Sequence, residues 1–166
     1  MNGAQWLVET LRRRGVELIF ALCGNGLKPF LDACIDQQMQ VIDVRNEQSA
    51  AYMADTWGRL TKRIGVVAVS AGPGHTNALT GLANAFWDGG PMLLISGCAS
   101  TQTHGMGNFQ ELDQVEMAAP VCKYARLINS AEALEHELIK ALRLAVSGRP
   151  GPVHLTVPVN VLNAAM

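Results

Sequence analysis

Residues 66–96 read VVAVSAGPGHTNALTGLANAFWDGGPMLLIS, and this stretch decides the fold. Val66 to Val69 is a short apolar run that predicts a buried strand, and Met92 to Ser96 predicts another. Between them, a glycine-rich turn leads into a predicted helix from Thr76 to Trp87. Two buried strands joined by a helix form a βαβ unit, in which the strands are parallel.

The same alternation of short apolar runs and helical patterns continues on both sides of this unit. Four further runs predict strands: Leu18 to Leu22, Val41 to Val44, Val121 to Leu127 and Val153 to Val157. The other predicted helices run to about Arg14, over Leu27 to Ile35, over Asn46 to Lys62, and through Leu134, Leu138, Leu142 and Ala145. This order predicts a doubly wound α/β fold, a mainly parallel six-stranded sheet with helices on both faces. A chain of 166 residues fits one such domain, residues 1–166.

The composition indicates a protein that carries little charge and shares its surface with a partner. The 13 Lys and Arg residues nearly balance 14 Asp and Glu residues, and a net charge of −1 does not favour a nucleic-acid binder. Only 16% of the residues are charged, against roughly 25% in an ordinary soluble domain, while 49% are hydrophobic. We therefore expect another domain or chain to cover part of the surface, and we expect a homo-oligomer.

Neither a membrane span nor a secretory signal is predicted. The apolar runs are far shorter than the roughly 18 to 20 residues that cross a bilayer, and the Arg12–Arg14 cluster follows the first apolar positions instead of preceding them. We expect a cytoplasmic protein without a membrane partner. The four cysteines show no CxxC pair and the four histidines no metal-binding spacing, so we expect reduced core cysteines and no metal site in this chain.

Polar residues that directly follow predicted strands mark the candidate site, because ligands of doubly wound sheets bind beyond the carboxyl ends of the strands. Three junctions qualify: Asn46 with Glu47, the Ser70–Asn77 turn, and the long stretch from Cys98 to Pro120. The Ser70–Asn77 turn brings glycine N–H groups to the start of a helix, where a ligand can approach. The simplest alternative is that these residues have only a structural role, as a tight turn in which Thr76 or Asn77 caps the helix.

Glu47 has two open interpretations. It lies in the first turn of a predicted helix, where a negative charge is stabilised by about 0.3 to 1 kcal/mol and needs no further role. The same helix also carries an unusual number of small residues, namely Ser49, Ala50, Ala51, Ala54 and Gly58. Since small side chains allow another surface to come close, we expect this helix to present an apolar face to a partner.

A hydrolase is a second, weaker hypothesis for the same turn. Ala68 to Gly72 approximates a nucleophile elbow around Ser70, and Asp113 and His154 follow in the chain order of such a triad. In an elbow, however, the helix starts directly after the nucleophile, and here Pro73 intervenes. His154 also falls inside a predicted strand, where we expect a packed core histidine.

Four segments together resemble the thiamine-diphosphate enzymes of the acetolactate synthase type, and the similarity covers essentially all 166 residues in the right order. Residues 45–55, RNEQSAAYMAD, are similar to the family's R-x-E-Q-x-A-x-x-x-A segment. Residues 70–77, SAGPGHTN, are similar to its S-G-P-G-x-x-N loop. Residues 109–114, FQELDQ, and 149–153, RPGPV, are similar to its F-Q-E-x-D segment and its closing strand. The resemblance is to the amino-terminal domain, which holds the aminopyrimidine ring of the cofactor.

The resemblance implies roles for five residues. Glu47 corresponds to the catalytic glutamate, whose carboxyl hydrogen-bonds N1′ of the pyrimidine and lets the 4′-imino group take the proton from thiazolium C2. Pro73, Gly74 and Asn77 correspond to the loop beside the pyrimidine. Gln110 would lie near the thiazolium, where its amide can orient a substrate carbonyl. The implied reaction is acetolactate synthase-like carboligation, or decarboxylation, of a 2-oxo acid.

The chain also departs from the family pattern. The loop after the first strand reads Ala21-Leu22-Cys23-Gly24 and keeps only the last glycine of the family's G-x-P-G. No G-D-G segment followed by an Asn pair is present, although the family's other cofactor domain holds Mg²⁺ and the diphosphate with that motif. The resemblance therefore implies that a diphosphate-binding domain or subunit completes the site and that this chain alone is inactive.

Three alternatives stay open. Residues 111–114 together with Pro120 also resemble the oxalyl-CoA decarboxylase and 2-hydroxyacyl-CoA lyase branch, so an acyl-CoA-type decarboxylase or lyase domain is one alternative. The chain is either a domain of a longer enzyme or a natural subunit of a split decarboxylase. A non-catalytic binding module is the most distant alternative, and the presence of Glu47 argues against it.

Overall fold

The computed structural model describes residues 1–166 and contains one six-stranded sheet. The strands are β1 (Leu18–Ala21), β2 (Gln40–Asp43), β3 (Gly65–Val69), β4 (Met92–Cys98), β5 (Tyr124–Leu127) and β6 (Pro152–Pro158). Their order across the sheet is β2-β1-β3-β4-β6-β5, and every neighbouring pair is parallel. The predicted doubly wound α/β fold is confirmed, with a sheet that is wholly parallel.

Seven α-helices cover the two faces of the sheet. They are α1 (Gly3–Arg13), α2 (Lys28–Asp36), α3 (Glu47–Thr61), α4 (Pro73–Asp88), α5 (Gln114–Ala118), α6 (Ala131–Val146) and α7 (Val159–Asn163). Helices α1, α2, α6 and α7 pack together on one face, and α3, α4 and α5 pack together on the other. None of the seven is both long and apolar enough to span a bilayer.

Helix α4 begins earlier than the sequence predicts. It starts at Pro73 instead of Thr76, because proline suits the first helical position and Gly72, at φ +58°, makes the entry turn. No side chain caps this helix, so the interpretation of Thr76 or Asn77 as its cap is wrong. The side chain of Asn77 is left available for a contact with another element.

Other element bounds also differ from the prediction. The fifth strand begins at Tyr124 instead of Val121, since residues 119–121 form a 3₁₀ turn. The long stretch from Cys98 to Pro120 contains the short helix α5, and α7 is not predicted at all. Strong apolar runs thus mark the sheet well, whereas short helical turns give a weaker signal.

Alternate residues of each strand face opposite sides of the sheet, which divides the core into two layers. The larger layer lies under α1, α2, α6 and α7 and includes Ile19 and Val66. The smaller layer lies under α3, α4 and α5, and toward β6 its apolar side chains give way to buried His154 and Thr156. His75 of α4 packs on His154 there, with ring centroids 4.7 Å apart. One corner of the core is therefore polar.

The small residues of α3 pack inside the chain, which corrects the expectation that they face a partner. Ala50, Ala51 and Ala54 are fully buried, and α4 approaches them so closely that a Cβ on Gly81 would lie 2.5 Å from Cβ of Ala51. The apolar side chains that α3 exposes are larger. An open apolar groove, the α3 groove, is lined by Phe20, Tyr52, Met53, Thr56, Trp57 and Leu60.

The four cysteines are free thiols, but not all of them are core residues. Cys34 and Cys122 are buried as expected, whereas Cys98 is half-buried. Cys23 is exposed, because it lies in the loop after β1 and not in the strand itself. The prediction of core cysteines is therefore wrong for Cys23.

Candidate functional site

The candidate site lies where the strand order changes direction. Strand β2 lies on one side of β1, whereas β3 and the remaining strands lie on the other. At such a switch point a crevice opens beyond the carboxyl ends of the strands, and it is the usual ligand site of a doubly wound sheet. The loops after β1 and β3 meet there, since a Cβ on Gly24 would lie 2.5 Å from Cβ of Ser70. This close approach requires the single glycine of the loop Ala21–Gly24.

Glu47 opens α3 at this crevice, soon after β2. Asn46 caps the helix by accepting a 2.8 Å hydrogen bond from the Gln48 N–H, which orients the first turn. Glu47 is only 9% exposed, and its Oε2 accepts a 2.9 Å hydrogen bond from Nδ2 of Asn77 on α4. Its second oxygen, Oε1, accepts no hydrogen bond from the chain and faces Gly74. The structure thus brings Glu47, Gly74 and Asn77 together.

Pro73 and Gly74 begin α4 and leave room beside the carboxylate. A Cβ on Gly74 would lie 2.3 Å from Oγ of Ser70 and 3.1 Å from Oε1 of Glu47. Any larger residue would displace Ser70 or crowd the carboxylate, whereas glycine keeps Oε1 accessible. Pro73 fixes the first helical turn and has no N–H group that would need a partner.

A second buried carboxylate, Asp55, bridges the same two helices and shows what distinguishes Glu47. Asp55 is fully buried, and its Oδ2 accepts a 2.8 Å hydrogen bond from Nδ2 of Asn84. Nε of Arg59 lies 3.1 Å from its Oδ1, so a guanidinium balances its charge. Glu47 forms no ion pair. Of the two, Glu47 is therefore the carboxylate without a charged partner, and one of its oxygens is free to accept a hydrogen bond.

Gln110 lies at the edge of the crevice and forms no hydrogen bond with Glu47. Its backbone abuts the turn before α4, since a Cβ on Gly72 would lie 2.6 Å from the Gln110 carbonyl oxygen. Gln110 has φ +61°, a left-handed conformation that costs a residue with a side chain about 1 kcal/mol. Asn25, in the loop after β1, helps to hold it there by donating a 3.0 Å hydrogen bond to the Phe109 carbonyl.

A buried hydrogen-bond network around Gln114 also holds the turn before α4. The sequence does not predict this network. Gln114 accepts a 3.0 Å hydrogen bond from the Gly72 N–H through Oε1. Its Nε2 donates to the Gly97 carbonyl at 3.3 Å and to Oγ1 of Thr156 at 3.1 Å. The Thr156 hydroxyl is then free to donate its own proton to Nε2 of His154, 3.2 Å away. The only signal in the sequence is a polar residue at the start of a short helix.

Two histidines complete this network, and both are neutral near pH 7. Burial lowers the pKa of His75 to about 4, against an opposing contribution from the Gln114 backbone. Burial also lowers the pKa of His154, and neighbouring His75 adds to that shift. Nδ1 of His75 lies 2.8 Å from Oγ of Ser96, whereas Nε2 of His75 and Nδ1 of His154 have no hydrogen-bond partner. Both rings belong to the core, which confirms the prediction for His154.

The residues of the hydrolase hypothesis have other partners in the structure. Oδ1 of Asp113 accepts a 3.0 Å hydrogen bond from the Glu116 N–H and caps α5. His154 pairs with Thr156, as described above. Ser70 is packed between Gly24 and Gly74. No catalytic triad is assembled, and this hypothesis is not supported.

The long connection after β4 is organised by Glu111. Its carboxylate accepts hydrogen bonds from the N–H groups of Gly105 and Asn108, and these bonds lower its pKa to about 2. The loop that Glu111 closes exposes Met106 at its tip. A cavity of about 340 Å³, the loop cavity, is lined by residues of this connection and by residues at the ends of β5 and β6. Gln110, Gln114 and Thr156 are among the residues that line it.

Comparison with known proteins places this arrangement in a family. Residues 1–117 match the family model described as "Thiamine pyrophosphate enzyme, N-terminal TPP binding domain". The chain is 38% identical over 161 residues to 2-hydroxyacyl-CoA lyase 2 of Danio rerio and of Homo sapiens, covering 97% of this chain and 26% of each relative. It is 40% identical over 170 residues to the acetolactate synthase isozyme 3 large subunit of Escherichia coli (strain K12), covering 99% of this chain and 29% of that protein.

The match extends over nearly all of this chain but over only part of its relatives. The chain spans about a quarter of the length of these curated relatives. The matched family region includes Glu47, the Ser70–Asn77 turn and Gln110. The chain belongs to the thiamine pyrophosphate enzymes and carries their N-terminal cofactor-binding domain.

Proposed function

We propose that residues 1–166 form one domain, the pyrimidine-binding half of a thiamine-diphosphate-dependent enzyme, in which Glu47 activates the cofactor. The observation that carries this proposal is the Glu47 carboxylate, which is buried, held at Oε2 by Asn77 and open at Oε1. Strand β6 supports the extent of the domain. It follows the matched residues 1–117 in sequence, yet it lies between β4 and β5 in the same sheet.

The crevice offers an aminopyrimidine ring a free acceptor and glycines that leave it uncrowded. Gly24 and Gly74 lack the side chains that would otherwise collide with Ser70 and Glu47. Oε1 of Glu47 is a free acceptor at which ring N1′ can bind, because Asn77 occupies only Oε2. The residues present therefore fit the group that the family uses.

When bound, thiamine diphosphate supplies an acidic C2–H on its thiazolium ring and an electron sink for making or breaking a carbon–carbon bond beside a carbonyl. Glu47 holds and shares a proton at N1′ through Oε1, and its burial keeps competing water away. Asn77 holds the carboxylate in one orientation by donating to Oε2. Pro73 and Gly74 form the wall beside the ring. Gln110 offers its side-chain amide to the substrate carbonyl on the thiazolium side.

A second domain or subunit completes the site in this proposal. We assign Mg²⁺ and the diphosphate to it, because the family holds them with a G-D-G segment followed by an Asn pair, and residues 1–166 do not contain that motif. The exposed α3 groove supports a homo-oligomer. A cytoplasmic location is supported by the four free thiols, which are usual in a reducing compartment.

The reaction we propose is acetolactate synthase-like carboligation, or decarboxylation, of a 2-oxo acid. An acyl-CoA-type decarboxylase or lyase is the second candidate, because the lyase relatives cover the chain almost as fully as the synthase relative, at 38% against 40% identity. Both reactions need the same carboxylate at the pyrimidine. The chain serves either as a domain of a longer enzyme or as the subunit of a split one, and a non-catalytic module would have no use for the free oxygen of Glu47.

The test is Glu47→Gln in the assembled enzyme, that is, this chain together with its diphosphate-binding domain or subunit. Glutamine keeps the volume and the acceptor for Asn77 but cannot share a proton with N1′. We expect C2 proton exchange of bound cofactor to slow by about 10²- to 10⁴-fold. Loss of the first-turn charge should reduce stability by at most about 1 kcal/mol.

The matched control is Asp55→Asn, which alters the other buried carboxylate between α3 and α4. This variant loses its ion pair with Arg59 and should be less stable, but its C2 exchange should stay near normal. Normal exchange in a folded Glu47→Gln enzyme would refute the proposed function.

A further inference from the structure

Gln114 is a buried side chain whose polar atoms all have partners. It is 3% exposed, and it bonds the Gly72 N–H through Oε1 and Gly97 and Thr156 through Nε2. Gly97 and Thr156 belong to β4 and β6, which are neighbours in the interior of the sheet. Gln114 therefore connects the turn before α4 to the interior of the sheet.

Part of the connection that carries Gln114 borders open space. Gln110 and Gln114 both line the loop cavity of about 340 Å³, together with residues of β5 and β6. A segment that borders open space lacks the dispersion contacts that fix a fully packed side chain. Hydrogen bonds therefore help to fix its position, and the Gln114 side chain forms three of them.

The Gly72 N–H is the point where this connection meets the proposed catalytic turn. Gly72 precedes Pro73, and α4 carries Gly74 and Asn77 from there to Glu47. The Gly72 backbone also abuts Gln110. A shift of Gly72 would consequently move Asn77 and Gln110 relative to Glu47.

We propose that Gln114 is a positioning residue: by accepting the hydrogen bond of the Gly72 N–H, it fixes the turn that places Asn77 against Glu47 and Gln110 beside it. This role rests on the proposed function of Glu47, and it belongs to a side chain outside the contacts assigned to cofactor and substrate. A misplacement of about 1 Å far from the chemistry can cost about 10²-fold in rate. Loss of the Gln114 acceptor should therefore slow C2 proton exchange by about 10- to 100-fold.

Three variants separate positioning from stability. Gln114→Met keeps the length of the side chain but leaves the Gly72 N–H unpaired. Gln114→Glu keeps an acceptor at the same place and loses only the donor to Gly97 and Thr156. Thr156→Val is the matched control, because it breaks the network on the sheet side and leaves the Gly72 hydrogen bond in place.

Each variant is measured in three ways. Amide hydrogen exchange of Gly72 is recorded without cofactor, C2 proton exchange is recorded in the assembled enzyme, and thermal unfolding reports stability. We expect Gln114→Met to lose protection at Gly72 and to slow C2 exchange by about 10- to 100-fold. Gln114→Glu and Thr156→Val should keep both exchange rates near those of the unmodified protein, even where they lower the melting temperature.

Two results would overturn the proposal: normal C2 exchange in folded Gln114→Met, or an equal slowing in Thr156→Val. If Gln114→Met does not fold, Gln114→Asn replaces it, because asparagine is one methylene too short to reach Gly72. If C2 proton exchange is slow in Gln114→Asn but not in Gln114→Glu, the positioning role of Gln114 is supported. Equal C2 exchange rates in these two variants overturn it. If Glu47→Gln slows C2 proton exchange strongly and substitutions of Gln114 do not, only the positioning role of Gln114 is refuted. If Glu47→Gln does not slow C2 exchange, the proposed function itself is refuted.

Discussion

Asn77 donates a 2.9 Å hydrogen bond from Nδ2 to Oε2 of Glu47, and this bond joins α4 to α3 at the carboxyl edge of the sheet. About two turns further along the same helices, Asn84 donates a 2.8 Å bond to Oδ2 of Asp55. The two bonds share donor type, acceptor type and helices, but only Asp55 also has a guanidinium partner. The chain thus contains two similar Asn–carboxylate hydrogen bonds, and only the one at Glu47 has a proposed catalytic role.

Asn77→Ala should impair the cofactor chemistry, because Glu47 would lose the donor that orients it. We expect C2 proton exchange in the assembled enzyme to slow by about tenfold or more, together with a loss of about 1 to 3 kcal/mol in stability for the unpaired carboxylate oxygen. Asn84→Ala should lose similar stability and keep normal exchange. Equal exchange rates in the two variants would contradict the role of Asn77.

Sequence patterns predict the sheet and the proposed site residues for different physical reasons. Strands such as Val66–Val69 read as short apolar runs because both faces are buried, whatever packs on them. The place of Glu47 at the carboxyl edge can be predicted because it lies shortly after a strand, and in a parallel sheet those positions share one edge. Its proposed role, in contrast, is implied only by the resemblance of residues 45–55 to the family segment.

Gln114 and the small residues of α3 cannot be assigned in this way, since their roles depend on neighbours that are distant in sequence. The partners of Gln114 come together only because β6 lies next to β4. Ala50 and Ala51 suit a helix that packs within the chain as well as one that meets a partner, and the position of Gly81 decides between the two. Long-range strand order therefore limits what the sequence alone predicts.

Stability should decrease as the pH is lowered through the weakly acidic range because of His75. Burial lowers its pKa from 6.5 to about 4, so between these values the unfolded chain binds a proton that the folded chain does not. The stabilisation is complete above pH 6.5 and is lost as the pH falls to about 4. At about 1.4 kcal/mol per pKa unit, the loss is on the order of 3 kcal/mol, and His154 adds to it in the same direction.

Urea unfolding at a series of pH values checks this prediction with two variants. His75→Asn should flatten the decrease between about pH 6.5 and 4. His136→Asn is the control, because His136 is an exposed residue of α6 and its loss should leave the profile unchanged. A His75→Asn profile parallel to that of the unmodified protein would show that His75 is not responsible.

The isolated chain should show no measurable decarboxylase or carboligase activity. In the proposed function it supplies only the pyrimidine side of the site, and residues 1–166 lack the G-D-G segment with which the family holds Mg²⁺ and the diphosphate. The measurement is turnover of pyruvate by residues 1–166 with added thiamine diphosphate and Mg²⁺. Steady turnover by this chain alone would show that half of the site is sufficient.

The α3 groove should drive self-association of the isolated chain. Its side chains Tyr52, Met53 and Leu60 are apolar and exposed, and such surfaces commonly pair with a second copy when no other partner is present. Sedimentation at micromolar concentration should detect a dimer, and Leu60→Glu should shift it to monomer. Val146→Glu, on α6 across the sheet, should leave the dimer intact, and a monomer without any substitution would contradict the prediction.

The place of β6 in the sheet has a consequence for biosynthesis. Of the six strands of this sheet, β6 is the last to leave the ribosome, yet it pairs with β4 on one side and β5 on the other. Until Pro158 has emerged, one edge of β4 is open and β5 has no partner strand. Open strand edges recruit other chains, and pairings between distant segments form slowly. The nascent chain is therefore most vulnerable to aggregation in the interval between the synthesis of β4 and the release of β6.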